Sequence, residues 1–152
     1  MAGSIILDGA IMNLIFVNAN TGIGLGDGNG AIRAGTTGNV FVSLHTADPT
    51  RSGNQTSSEA NYSGYARQPV VRTTSGWTFA APGGNTWMAN AGVITFPICT
   101  GGSSNVTYFG IGSDLTGTGN LYFSGALTSG FLNISNNITP SYAANTLIVY
   151  AT

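Results

Sequence analysis

Val40-Phe-Val-Ser-Leu-His-Thr46 is the first stretch in which apolar residues recur at every second position. That period belongs to a strand, whose side chains alternate between two faces. Residues 64–73, 77–80, 86–88, 91–98, 106–111, 121–127, 131–134 and 146–151 read as further strands. Pro82-Gly-Gly-Asn85, Gly101-Gly-Ser-Ser-Asn105 and Thr116-Gly-Thr-Gly-Asn120 supply turns between them. Pro69 cannot donate to a ladder and gives 64–73 the character of an edge strand. Eight or nine short strands at this spacing predict a mainly β domain over residues 40–152, an antiparallel β-sandwich of jelly-roll-like type. No internal repeat supports a propeller or solenoid.

Upstream, one segment is helical. Ser4 can cap a helix through Ile5-Ile-Leu-Asp-Gly-Ala-Ile-Met-Asn-Leu-Ile-Phe-Val17, with Asp8 near its positive end and Asn18 near its stop. Ile5, Leu7, Ile11, Leu14, Ile15 and Phe16 leave little polar face, so its own domain or a neighbour must cover it. Residues 21–39 carry glycine at 22, 24, 26, 28, 30, 35 and 38 and read as a long loop or arm. Residues 1–39 are therefore expected to form a helix plus a Gly-rich arm that reaches a neighbouring subunit.

Only 6% of the 152 residues are charged: four arginines, no lysine, four aspartates and Glu59, for a net charge of −1. Phosphate neutralisation needs a basic patch that four arginines against five acids cannot build, so nucleic acid and anionic membrane surfaces are excluded as partners. The single Cys99 excludes an internal disulfide and zinc sites made of paired thiolates, and reads as a small buried hydrophobe. The N-terminal apolar run lacks a basic flank and is interrupted by Asp8, which argues against a secretory signal. No segment reaches the roughly 20 apolar residues of a membrane span. The five Asn-x-Ser/Thr sites follow from composition alone.

Titratable groups that could do chemistry are few. His45 is the only histidine and shares a strand face with Ser43, and Asp48 follows three residues later. A Ser/His/Asp set can thus be drawn, without a nucleophile elbow; a hydrogen-bonded structural histidine is the competing reading. Glu59 and Asp48 could form a carboxylate pair within one loop, or act as turn and capping residues. Gly22-Ile-Gly-Leu-Gly-Asp-Gly-Asn-Gly30 lacks the spacing of a phosphate or calcium loop. No catalytic, metal or cofactor site is expected. Arg33, Arg51, Arg67 and Arg72 are candidate anchors for carboxylates or carbonyls of a partner, because the guanidinium presents a planar five-donor fork. The alternative for them is a local clamp to Asp48 or Glu59. Tyr62 and Tyr65 are candidate contact aromatics, with Trp77 and Trp87 divided between interface and core.

The segment from Val42 to Arg72 contains Leu44-His-Thr-Ala-Asp-Pro49 and Gly64-Tyr-Ala-Arg67. It is followed by Ile94-Thr-Phe-Pro97, Tyr108-Phe-Gly-Ile-Gly112, Leu121-Tyr-Phe-Ser-Gly-Ala-Leu127 and Ile138-Thr-Pro140. In that order these runs resemble a tailed-bacteriophage capsid cement or decoration protein family whose members often carry the label tail fibre protein. The Gly-rich stretch departs from the short linker usual there. The resemblance implies a non-enzymatic virion protein on the outer surface of the head, made in the host cytoplasm, that bridges major capsid protein subunits. On a symmetric shell, self-association at the symmetry axes is expected, as a dimer in preference to a trimer. A tail-fibre or receptor-binding component is the rival reading, and a surface-polymer hydrolase using His45 is a third.

Overall fold

The computed structural model describes residues 5–18, 38–81 and 84–150. The chain is mainly β, with antiparallel sheets and one helix, an architecture consistent with a β-sandwich. It divides into two compact units. One comprises Met1–Asn39, Val71–Val93 and Ala143–Thr152, and the other Val40–Val70 and Ile94–Tyr142.

In the first unit, helix α1 (Ile5–Val17) packs on a three-stranded sheet. That sheet consists of β3 (Trp77–Ala81), β4 (Gly84–Asn90) and β11 (Ile148–Tyr150), with β4 central. The helix stops at Asn18, whose φ of 51° places it in the left-handed conformation common after a last helical turn. Its final turn carries no basic residue of its own. Arg72 supplies the missing cation: Nε donates to Ile15 O at 2.7 Å and a terminal nitrogen donates to Leu14 O at 2.6 Å. Two orphan carbonyls at the negative end of the helix are thereby satisfied. Met12 and Phe16 are fully buried, and Phe16 meets the buried Trp77 edge-on at 4.5 Å. The helix is thus part of its unit's core and not a detached reaching arm. Ser4, and the Gly-rich stretch up to residue 37 with Arg33, lie outside the described residues.

The second unit is built on a four-stranded sheet in the order β2-β1-β7-β8. These strands are β1 (Asn39–His45), β2 (Gln68–Val71), β7 (Tyr108–Gly112) and β8 (Leu121–Ala126). Two short ribbons join it: β5 (Ile94–Thr95) with β10 (Ser141–Tyr142), and β6 (Ser104–Val106) with β9 (Leu132–Ile134). Val40, Val42, Leu44, Phe96, Cys99, Val106, Ile111 and Ile134 are buried within it. Cys99 is a free thiol, as its apolar run suggests.

Three expected strands change. The expected strand 91–98 contracts to two residues. Asn90 turns the chain at its start, donating from Nδ2 to Gly92 O and Ala143 O, and Pro97 lacks a ladder donor. The expected 106–111 divides at Thr107 into β6 and β7, which enter different sheets. The expected 64–73 keeps only Gln68–Val71, because Gly64 (φ 96°) turns the chain and Tyr65 and Arg67 point their side chains into a polar cluster.

Candidate functional site

His45, Glu59, Tyr65 and Arg67 of the second unit come together beside β1 and β7. Register sets Ser43 opposite Gly110, His45 opposite Tyr108 and Phe41 opposite Gly112. Alternate glycines on β7 leave a trough on this face. A Cβ at Gly110 would stand 2.5 Å from His45 Nε2 and 2.6 Å from Ser43 Oγ, and one at Gly112 would overlap the Gln55 side chain. The chain after β1 folds back over the trough: Thr46 N donates to Ser58 O and Ala60 N to Leu44 O.

His45 sits in the trough with no exposed surface. Its Nδ1 lies 2.8 Å from Ser57 O, which can only accept, so Nδ1 carries the proton and Nε2 accepts from the Ser43 hydroxyl at 2.8 Å. Burial lowers the imidazole pKa below the ordinary value of 6.5. The carbonyl of Ser57 and the charge of Glu59 oppose that shift, and Arg67 adds to it.

Arg67, 3% exposed, forms a fork with Glu59: Nε to Oε1 at 2.7 Å and a terminal nitrogen to Oε2 at 2.8 Å. Its remaining donors reach Asp114 O at 2.9 Å and Gly117 O at 2.8 Å. The hydrogen bonds to Glu59 raise the guanidinium pKa most, against the opposing effect of burial. The Tyr65 hydroxyl donates to Glu59 Oε1 at 2.9 Å and accepts from Leu44 N at 3.1 Å. Burial, the larger cause, holds the Tyr65 phenol above its ordinary range. Gln55, fully buried, pairs with the backbone of Asp114: Nε2 donates to its carbonyl at 3.2 Å and Oε1 accepts from its amide at 2.9 Å. Gln55 N also donates to Thr118 O. Arg67 and Gln55 together hold residues 113–120, the connection between β7 and β8, against the segment that follows β1.

This arrangement is a clamp. Ser43 and His45 have the orientation of a nucleophile and its base, but the third partner is the Ser57 carbonyl. Asp48 instead accepts from Thr50 N at 2.8 Å, within its own turn. Ser43 and His45 are both fully buried. Glu59 is occupied on both oxygens and forms no free carboxylate pair with Asp48. Among the described residues no group of three His, Cys, Asp or Glu side chains could hold a metal ion, and no helix is long and apolar enough to cross a membrane.

The six candidate contact residues separate sharply. Arg67 serves the clamp, and Arg72 caps α1. Tyr62 is buried, donates to Pro97 O at 3.0 Å and has its phenol pushed up to about 12 by burial. Tyr65 bridges Leu44 and Glu59, and its ring stacks on Phe96. The polar side-chain atoms of these four make hydrogen bonds within their own units. Arg33 lies outside the described residues. Arg51 is exposed and has no hydrogen-bond or ion-pair partner among the described residues. Trp77 belongs to the core, whereas Trp87 is 42% exposed beside Tyr150. Gln55 escaped the sequence reading; its signal was the pair of glycines at alternate positions of an otherwise apolar strand.

A buried clamp, tightly bonded loops and a mainly β fold define a structural module, and comparison with known families places it among phage structural proteins. The family described as podophage GP4 fiber I protein gp80 matches residues 29–149, well over half of the chain, and the protein belongs to that family. No curated protein matches it.

Proposed function

We propose that the protein is a non-enzymatic structural subunit of a podophage virion that serves as a fibre component. The observation that carries this reading is the family match over residues 29–149, whose description is that of a fibre protein. The clamp supports it: Ser43 and His45 are buried and bonded to each other, Glu59 is held by Arg67, and Asp48 is bonded within its own turn.

A second reading keeps the protein on the head, as a cement protein bridging major capsid protein subunits. The 6% charge content favours it, since desolvating unpaired ions across a broad protein surface is costly. Electron microscopy of intact virions carrying a gold-labelled copy tests the assignment. Label confined to the tail is expected; label distributed over the head overturns the fibre reading in favour of cement.

A further inference from the structure

The segment that folds back over His45, residues 46–59, buries little of itself. Pro49 and Gln55 are its buried residues and the rest are half-buried or exposed, so lifting it uncovers little apolar surface. It also holds strain: Thr50 and Ser58 sit at φ 62° and 54°, in the left-handed region that residues other than glycine rarely occupy. The strand beneath is different. Val40, Val42 and Leu44 of β1 are buried, and β1 pairs with β7 without interruption from Phe41 to His45. Local opening in this region therefore starts with the segment and not with the sheet.

His45 fastens the two together. Its Nδ1 donates to Ser57 O, beside the strained Ser58, and its Nε2 is the hydrogen-bond partner of the buried Ser43 hydroxyl. A second proton on the ring turns Nε2 into a donor and leaves the Ser43 hydrogen without that acceptor. Around the ring, Glu59 of the segment favours the imidazolium, and Arg67, which is bonded to Glu59, opposes it. Tyr65 reaches the ring's surroundings through Glu59, Asp114 turns its carbonyl to Arg67, and β7 presents Gly110 and, opposite in register, Tyr108. Burial outweighs the favourable field of Glu59, so the charged ring needs water that the segment keeps out. We propose that residues 46–59 form an acid-operated latch, in which protonation of His45 lifts them from β1 while the β1–β7 ladder stays formed. This goes further than acid unfolding, because the segment opens within an otherwise native chain, and it does not rest on the fibre reading. Gln55 and Glu59 tie the segment to Asp114 and Arg67, so the open form is a minor population of the kind that hydrogen exchange reads.

Hydrogen exchange of the full-length protein between pH 7.5 and 5, each rate divided by that of an unstructured amide at the same pH, tests the latch. The amides of Thr46, Gln55 and Ala60 are bonded to Ser58 O, Thr118 O and Leu44 O. They should open more often as pH falls below about 6.5, by up to about tenfold per pH unit, until the ring is charged in the closed form as well. Ladder amides of β1 and β7 should keep their protection, and His45→Asn should remove the rise. In the wild type His45 is the only histidine, so its NMR titration is unambiguous even if the variant fails to fold. Its midpoint should lie below 6.5, at the pH where the rise levels off. Segment amides indifferent to pH, ladder amides that open in step with them, a rise that survives in folded His45→Asn, or an imidazole midpoint at or above 6.5 would each overturn the proposal.

Discussion

At the residue scale the second unit depends on a buried ion pair in which Arg67 makes four hydrogen bonds, two to Glu59 and two to backbone carbonyls. Arg67→Ala leaves Glu59 without its cation and frees the carbonyls of Asp114 and Gly117. Removing one partner of a buried pair is worth about 3–5 kcal/mol, and the low end applies because Glu59 keeps 16% of its side chain exposed. Urea denaturation should show that loss, with Arg67→Lys intermediate because an ammonium cannot reproduce the fork. Gly110→Ala should cost roughly 1–3 kcal/mol, since its methyl group meets two side chains that are themselves hydrogen-bonded together. His45 sets a pH dependence. Its folded-state pKa lies below 6.5, so the unfolded chain binds the proton more readily and acid favours unfolding. The stability that neutral His45 contributes is complete above pH about 6.5 and is lost as pH falls from there through the folded-state pKa. Denaturation midpoints between pH 7.5 and 5 should fall for the wild type, and His45→Asn should flatten that part of the profile while lowering its plateau.

At the element scale the helix was legible and β10 was not. The observed Ile5–Val17 matches the boundaries read from the sequence, because the apolar run begins beyond Ser4 and a left-handed Asn ends it. Strands β1, β3, β8, β9 and β11 were also legible as apolar runs between turn residues. Ser141-Tyr142 was not: two residues after Pro140 carry no period, and β5 on the other chain segment makes them a strand. Thr107 fits a strand as well as its neighbours do, so the division between β6 and β7 is a tertiary fact. The clamp was half legible. Glu59 stood as a possible local partner for an arginine, but Gln55 is 59 residues from Asp114 in sequence, and no local pattern links them. Arg72 carries the same lesson for α1, which it caps across 57 residues. Arg72→Ala removes a charge-assisted cap and should cost about 1–2 kcal/mol. Hydrogen exchange at the amides of α1 should quicken while β1 and β7 keep their protection; equal loss in both sheets would assign Arg72 a role beyond the helix.

At the scale of the whole molecule, scarcity of charge decides what holds the fold together. Among the described residues the ion pair within 4.0 Å is Arg67–Glu59, and Arg67 is buried. Salt screens exposed charges strongly and buried pairs much less. The fold therefore rests on apolar burial and hydrogen bonds that ionic strength barely touches. Raising ionic strength from about 0.01 to about 0.1 M shortens the Debye length from about 30 to about 10 Å. Over that range the melting temperature of dilute protein should move by no more than about 2 °C, which corresponds to a few tenths of a kcal/mol in a domain of this size. A larger fall would mean that the two units owe their stability to surface charge, which the bonding of these seven described charged side chains does not provide.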